Sequence, residues 1–383
     1  MKKQNQIIEV VLDKTNQKVE TFIVNGKEYK RKDKETYKEF LTRISKKRRN
    51  KEIFKNNYNK ETIKVYTQEE YKRKDQKTIK NIKLYQNNIN RCKKAILNGS
   101  QIKLKHSEYN LGKQISATQD IGNKKANQED SVLILEHPKN KNFKLLAVAD
   151  GIGGREQGEL ASNNVMKKLI KWFENQNQKT YINIARGTLA LDKLMKNILD
   201  DVEISTQAGT TLSLALVGQT ETLIANIGDS RVYTLKEQEL IKQTKDDSYV
   251  QMLYDKKEIP SEELMRYHKQ SNIITKAIKK GTPNKLTYKI IDNNSYERII
   301  LTTDGVTDCL SQKEIQTIAQ VADKETITKD LVDCAKINYS TLQSLKNNTN
   351  KQVVKHIETN ENKYQKQIPG GKDNLSAVAY SKK

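Results

Sequence analysis

Six aspartates stand at the ends of apolar runs or in the turns that follow them. One of them, Asp150, ends the apolar run 145–149 and precedes a glycine-rich stretch that begins at Gly151. The others are Asp130, Asp229, Asp304, Asp308 and Asp373. A single Asp-Gly turn is ordinary, but several carboxylates in one place repel one another and need a cation between them. Such oxygen donors suit hard divalent cations such as Mg²⁺ or Mn²⁺, and a backbone carbonyl in the glycine-rich stretch could join them.

Strand-like runs and helical patterns that could position these aspartates follow one another from about residue 113 onwards. Short apolar runs predict strands at 131–136, 144–149, 210–217, 222–226, 230–235, 298–302 and 375–380. Apolar residues at i, i+3 and i+4 spacing predict two amphipathic helices, over residues 160–173 and 191–198. Short turns between residues 210 and 235 favour antiparallel neighbours. This order of elements indicates an α+β fold with sheets and helices in layers.

Residues 1–105 differ in character from the rest of the chain. The first 100 residues hold 28 Lys and Arg against 12 Asp and Glu, and the whole chain holds 70 against 47. The runs "IIEVVL" and "VETFIV" predict a hairpin within residues 1–30. Weak apolar periodicity over 33–98 predicts helices, one of them with Ile82 and Ile96 on its stripe. The excess positive charge predicts attraction to an acidic partner, which would be a protein surface, a membrane face or a nucleic acid.

Cysteine content and hydropathy predict a cytoplasmic protein. The three cysteines, Cys92, Cys309 and Cys334, show no Cys-x-x-Cys spacing, which argues against a disulfide framework or a thiolate zinc site. No apolar run approaches the roughly 18–20 residues that a membrane span needs. The apolar stretch near the N-terminus is interrupted at Glu9 and is too short for a signal peptide.

An ordered series of motifs carries a family resemblance. The segments "NQEDS", "VADGIGG", "AGTTLSLALV", "ANIGDSRVY", "LTTDGVTDCLS" and "KDNLSAV" resemble those of the metal-dependent Ser/Thr protein phosphatases of type 2C, the PPM family. Residues 242–280 resemble the flap segment of the bacterial branch. The resemblance covers residues 113–383 and leaves 1–105 as a basic extension. It implies two packed antiparallel β-sheets flanked by α-helices, in αββα layers.

The resemblance also implies a metal centre of two Mn²⁺ or Mg²⁺ ions with a weaker third. The Asp150 carboxylate would bridge the first two ions. The Gly151 carbonyl would be a further ligand. Asp304 and Asp373 would hold one ion, and Asp130, with Glu129 nearby, would support the other. Asp229 and Asp308 would help to hold the third. A hydroxide bridging two ions would attack phosphorus directly. The implied activity is therefore dephosphorylation of phosphoserine and phosphothreonine proteins.

Two positions depart from the family pattern. Lys125 stands where relatives commonly carry an arginine that binds the substrate phosphate, and a lysine cannot make the bidentate fork. Ile152 and Arg155 stand where many relatives carry a histidine as general acid, and the four histidines of the chain lie outside the motifs. These histidines are predicted to be surface residues. Lys125 remains the predicted phosphate-binding residue, and activity is expected to be modest.

Three other interpretations compete with this one. A dinucleotide-binding loop needs glycine at its sixth place, where this chain has Glu156. A catalytically weak or inactive phosphatase fold could serve as a binding module, although every implied metal position is filled. A nucleic-acid-binding protein with an accessory phosphatase domain would explain the basic extension, although a Lys- and Asn-rich segment is more commonly a solvated surface. The last two interpretations stay open as alternatives.

Overall fold

A computed structural model describes residues 7–12, 19–24, 27–30, 62–66, 82–83, 94–98, 106–111, 113–153 and 157–382. The chain divides into two compact units. The first contains residues 1–89 and 100–104, and the second contains residues 90–99 and 105–383. Within the described residues, no helix is long and apolar enough to cross a membrane.

The first unit contains a five-stranded sheet. Its strands are β1 (Ile7–Leu12), β2 (Val19–Val24), β3 (Lys27–Lys30), β4 (Thr62–Tyr66) and β5 (Ile82–Lys83). Their spatial order is β3-β2-β1-β4-β5, with β1 and β4 parallel and the other pairs antiparallel. The pairing of β1 with β2 confirms the predicted hairpin. The prediction of a helix at Ile82 is wrong. Ile82 lies in β5 and pairs with Ile63 of β4, a strand that contains three β-branched residues. Most of the predicted helical region 33–98 lies outside the described residues.

The second unit contains the remaining strands. In chain order they are β6 (Lys94–Asn98), β7 (His106–Leu111), β8 (Ile115–Asp120), β9 (Ser131–His137), β10 (Asn140–Ala149), β11 (Gly151–Ile152), β12 (Gly209–Thr210), β13 (Leu212–Val217), β14 (Glu221–Ile227), β15 (Arg231–Lys236), β16 (Glu239–Lys242), β17 (Ile278–Lys279), β18 (Thr287–Asp292), β19 (Arg298–Thr302), β20 (Tyr339–Thr341), β21 (Gln367–Pro369) and β22 (Leu375–Ser381). They confirm the seven runs that the sequence predicts as strands. Ile96, for which the apolar periodicity predicts a helix, lies instead in β6, where it pairs with Leu133 of β9.

Two six-stranded antiparallel sheets dominate the second unit. Sheet I has the order β18-β14-β13-β10-β9-β6, and sheet II has the order β16-β15-β19-β22-β8-β7. Two small sheets, β11-β12-β17 and β20-β21, complete the strand pairing of the described residues.

Ten α-helices accompany the sheets in the described residues. They are α1 (Gln157–Glu174), α2 (Gln178–Ile182), α3 (Arg186–Met195), α4 (Tyr249–Asp255), α5 (Glu262–Met265), α6 (Asp304–Cys309), α7 (Gln312–Val321), α8 (Ile327–Ile337), α9 (Leu342–Asn347) and α10 (Lys351–Thr359). Helix α1 confirms the first predicted helix. The second predicted helix ends at Met195, so Ile198 lies beyond its end.

Alternating side chains of the strands build three apolar layers. In β9, Val132 and Ile134 join the cluster between the two sheets, whereas Leu133 and Leu135 join the cluster between sheet I and helices α1 and α3. A third cluster lies between sheet II and helices α6, α7 and α8. A strand buried on both faces needs apolar residues at every position, which explains the continuous apolar runs in the sequence. The αββα layers implied by the resemblance are confirmed.

Two of the histidines are buried, so their predicted surface position is wrong. His137 and His268 are each only 5% exposed. His137 packs between Phe143 and Phe173 and bonds through Nε2 to the Gln176 carbonyl, 3.0 Å away. An imidazole offers enough ring surface to join an aromatic cluster when one nitrogen keeps a hydrogen-bond partner.

Candidate metal centre

Antiparallel pairing brings the aspartate-bearing strand ends together. In sheet I, Ala149 at the end of β10 pairs with Ser131 at the start of β9, so Asp150 and Asp130 leave the sheet at the same edge. In sheet II, Thr302 at the end of β19 pairs with Arg231, the first residue of β15, and with Ala377, the third residue of β22. Asp229, Asp304 and Asp373 lie within a few residues of these paired positions. We call the six aspartates, together with Glu129, the carboxylate cluster.

Electrostatics show that the members of the carboxylate cluster act on one another. Burial raises the pKa of Asp150 well above its ordinary value, and the charge of Asp304 raises it further. Burial and the charge of Asp229 do the same to the pKa of Asp304. Burial is also the main cause that raises the pKa of Asp130 and of Asp229 to about 7. Carboxylates placed like this are stabilised in their charged form by a bound cation.

Asp130 is held by hydroxyl groups from sheet II. Its Oδ2 accepts hydrogen bonds from Ser376 Oγ at 2.7 Å and from Thr303 Oγ1 at 2.8 Å. Gln119 Nε2 donates to the Asp130 carbonyl at 3.1 Å. All four residues are at most 3% exposed. One buried carboxylate therefore connects the end of sheet I to the two strands that lead to Asp304 and from Asp373.

The main chain of Asp150 is held by two threonines of the "AGTT" motif. Thr211 Oγ1 accepts a hydrogen bond from Asp150 N at 2.9 Å, and Thr211 N donates to the Asp150 carbonyl at 2.9 Å. Thr210 Oγ1 donates to the same carbonyl at 2.8 Å. These bonds leave the Asp150 backbone little freedom, so its side chain is directed from a defined position.

Glycines allow the segments of the carboxylate cluster to approach closely. A Cβ at Gly151 would stand 2.2 Å from the Gly158 carbonyl oxygen at the start of α1. A Cβ at Gly305, directly after Asp304, would stand 1.9 Å from the carbonyl oxygen of Asn374. Any other residue would therefore force apart the segments that carry the aspartates.

Lys125 lies inside the carboxylate cluster. Its Nζ is 2.7 Å from Asp373 Oδ1 and 3.9 Å from Glu129 Oε2. Burial lowers the pKa of Lys125, but the hydrogen bond to Asp373 and the neighbouring carboxylates outweigh burial and raise it overall. Burial raises the pKa of Glu129, which the charge of Lys125 partly offsets. The ammonium group is therefore charged and lies beside the carboxylates of Asp373 and Glu129.

Lys372 is a second cation beside the carboxylate cluster, and no motif in the sequence predicts it. Its Nζ is 3.0 Å from Asp308 Oδ2, and the carboxylates of Asp308 and Asp304 raise its pKa despite its burial, which acts in the opposite direction. The only feature of the sequence that points to Lys372 is its position directly before Asp373. The sequence does not predict the roles of the Thr303 and Ser376 hydroxyls either, because Ser and Thr near an Asp are common in turns.

The donor set fits divalent cations. Asp229 is 6% exposed, and its Oδ1 has no hydrogen-bond partner in the described part of the molecule. Within that part, no three His, Cys, Asp or Glu side chains are already gathered as a metal-binding group. Clustered carboxylate oxygens of this kind match the ligands that Mg²⁺ and Mn²⁺ prefer.

Comparisons with known proteins agree on one family. The profile of the family described as protein phosphatase 2C matches residues 121–337, which is more than half of the chain. The chain is 31% identical over 227 residues to the serine/threonine protein phosphatase PstP of Mycobacterium tuberculosis, and the match covers 57% of this chain and 41% of PstP. The chain thus spans about two fifths of the length of that curated relative.

Solved structures show the same fold. The crystal structure of a bacterial serine phosphatase matches with a TM-score of 0.53 and 26% identity, covering 70% of this chain and 96% of that one. The catalytic domain of PstP, crystallised in complex with two manganese ions, matches with a TM-score of 0.50 and 24% identity, covering 70% of this chain and 97% of that one.

Proposed function

Because the chain belongs to the protein phosphatase 2C family, we propose that it is a metal-dependent phosphatase of phosphoserine and phosphothreonine proteins. The observation that supports this most directly is the coincidence of the family match with the carboxylate cluster. Five of the six aspartates lie within the matched residues 121–337. Asp130 and Asp150 leave sheet I at one edge, and Asp229 and Asp304 flank paired strand ends of sheet II, which supports this proposal.

We propose Mn²⁺ or Mg²⁺ as the cofactor, as in the manganese-bound catalytic domain of PstP. Asp150 would be shared between two ions, with the Gly151 carbonyl beside it. The further proposed ligands are Asp304, Asp373, Asp130 and Glu129, with Asp229 and Asp308 at a third ion. When bound, such cations provide a strong nucleophile at neutral pH and neutralise charge on the phosphoryl oxygens.

The chain's own residues would orient the reaction. Thr210 and Thr211 hold the Asp150 backbone, and Ser376 and Thr303 hold the Asp130 carboxylate. Lys125 would keep its proton on Nζ, because its pKa is raised, and would present a positive charge to the phosphoryl oxygens. A fixed positive charge stabilises the charge that develops on these oxygens in the transition state.

The proposed function predicts phosphatase activity that depends on added metal. The full chain with Mn²⁺ should hydrolyse p-nitrophenyl phosphate and a phosphothreonine peptide, and EDTA should abolish both activities because the carboxylates alone provide no nucleophile. Initial rates measured with Mn²⁺, with EDTA and after Mn²⁺ is restored test this expectation. Equal rates with and without EDTA would contradict a metal-dependent mechanism.

Lys125→Ala is expected to raise KM for a phosphothreonine peptide about tenfold, since a charge-assisted hydrogen bond to phosphate is lost. Lys125→Arg should leave KM unchanged or lower it, because a guanidinium matches phosphate in a bidentate manner. Lys124→Ala is the matched control, since Lys124 is exposed and neighbours Lys125. Steady-state kinetics with the phosphothreonine peptide measure KM for each variant. If Lys124→Ala raised KM and Lys125→Ala did not, Lys124 would be the phosphate-binding residue.

The substrate and further partners belong to the proposal as well. A phosphoprotein is the proposed substrate. The basic composition of residues 1–105 supports an acidic partner for that region, with a protein surface, a membrane face and a nucleic acid as the classes that the charge allows. Binding of this region should weaken as salt concentration rises, because exposed charges are screened.

A further inference from the structure

An apolar cluster joins two segments that are far apart in the chain. The first is the flap segment, residues 242–280, and the second is residues 339–369, which we call the clamp. Leu253, Leu264 and Tyr267 of the flap segment and Leu345, Ile357 and Tyr364 of the clamp are among its buried members. The clamp lies beyond the family match, between α8 and Asp373, and the pairing of β20 with β21 closes its base.

Main-chain hydrogen bonds attach the flap segment to the clamp. Gln365 N donates to the Tyr267 carbonyl at 2.7 Å, and Lys269 N donates to the Lys363 carbonyl at 2.9 Å. Tyr364, which lies between these bonds, is 3% exposed. The two segments therefore share both a buried apolar contact and a short antiparallel bridge, which together resist separation.

Arg266 connects this assembly to the helix that carries Asp304. Its Nη1 donates to the Cys309 carbonyl at 3.1 Å and lies 3.5 Å from both the Asp308 carbonyl and Ser340 Oγ of the clamp. Its guanidinium carbon lies 4.9 Å from the centre of the Tyr267 ring. The side chain is only 10% exposed, so these contacts, and not solvent, determine where the guanidinium lies.

The start and the far end of the flap segment lie beside Asp229. Asp247 N donates to the Gly228 carbonyl at 2.9 Å, and Gly228 N donates to Asp247 Oδ2 at 3.1 Å. Lys276 Nζ lies 2.5 Å from Asp247 Oδ1. The flap segment is thus anchored next to Asp229 through Asp247 and next to Asp308 through Arg266, at two sides of the carboxylate cluster.

We propose that Arg266 and the clamp hold the flap segment in one position, where it forms a binding wall for the polypeptide that carries the phosphorylated residue. This inference rests on the proposed phosphatase function. The polypeptide chain of a phosphoprotein would contact this wall when its phosphate is at the carboxylate cluster. A small aryl phosphate has no polypeptide chain and would not contact the wall. Arg266 acts through the flap segment and is a positioning residue.

The test compares two substrates. In the full chain with Mn²⁺, Arg266→Met should lower the ratio of kcat/KM for a phosphothreonine peptide to kcat/KM for p-nitrophenyl phosphate about tenfold, because hydrogen bonds from a charged group are lost. The peptide KM should change more than its kcat. Arg266→Lys, which keeps the charge, should restore part of the ratio. Tyr364→Leu should lower the ratio in the same direction by loosening the clamp.

Arg298→Met is the matched control. Arg298 Nη1 donates to the Ala319 and Ala322 carbonyls at 2.9 and 2.8 Å, so it also binds the end of a helix. Among the described residues, it makes no hydrogen bond to the flap segment. Its replacement should lower stability and leave the substrate ratio unchanged. An unchanged ratio in both Arg266→Met and Tyr364→Leu, or an equal change in Arg298→Met, would overturn the proposal.

Hydrogen exchange separates this proposal from the proposed function. Amides of residues 262–269 should exchange faster in Arg266→Met than in the wild type, while those of sheet I keep their protection. Wild-type protein that hydrolyses neither substrate would contradict the phosphatase function. Exchange needs no activity, so unchanged protection of residues 262–269 would still overturn the role of Arg266.

Discussion

Asp150→Asn is expected to lower kcat for p-nitrophenyl phosphate by at least about a hundredfold, the size of effect seen when one group that stabilises transition-state charge is removed. The substitution keeps the shape of the side chain and removes its charge. Asp150 lies at the edge where the two sheets bring their aspartates together, and burial and Asp304 both raise its pKa. The neutral amide should therefore fold well and bind cations poorly.

Steady-state rates over a range of Mn²⁺ concentrations measure this effect. Asp201→Asn is the matched control, since its carboxylate is 73% exposed and pairs with Lys168, and neither residue belongs to the carboxylate cluster. It should keep the wild-type rate. Circular dichroism should show the same fold for both variants. Wild-type activity in Asp150→Asn would remove Asp150 from the centre.

Gly305→Ala is expected to lower the free energy of unfolding by about 2–3 kcal/mol, the upper range for forcing extra atoms into a packed site. The new Cβ would stand 1.9 Å from the Asn374 carbonyl oxygen and 2.9 Å from its carbon. Main-chain atoms cannot rotate away as the end of a flexible side chain can. The segments of Asp304 and Asp373 would therefore move apart, and Mn²⁺-dependent activity should fall together with stability.

Urea unfolding curves of the metal-free protein measure the stability change. Gly281→Ala is the control, because Gly281 has a φ of +69° and nothing within 4 Å of an added Cβ. That substitution should cost only about 1 kcal/mol of backbone strain. If Gly305→Ala were no more destabilising than Gly281→Ala, the close approach of the two segments would not hold in solution.

Local patterns in the sequence predict the elements of the second unit. The strands β9, β10, β13 and β19 contain apolar runs because each strand is buried on both faces. Helix α1 has an amphipathic pattern because one of its faces packs on sheet I. The aspartates could be identified as a group because each follows or precedes such a run. Apolar periodicity predicted helices at Ile82 and Ile96, where the structure has short strands. These strands form by pairing with β4 and β9, and no local sequence pattern indicates that pairing.

The sequence by itself therefore determined the type and approximate place of the main elements, the family resemblance and the candidate ligands. Only the tertiary structure decided which groups hold those ligands. Ser376 bonds Asp130 across 246 positions of the chain, and Lys125 meets Asp373 from a similar distance. Only the tertiary structure also showed that the clamp packs on the flap segment. The periodicity of apolar residues indicates which face of a helix or strand is buried. Contacts between residues that are distant in sequence depend instead on how the strands align and how the layers stack. No local sequence pattern predicts such contacts.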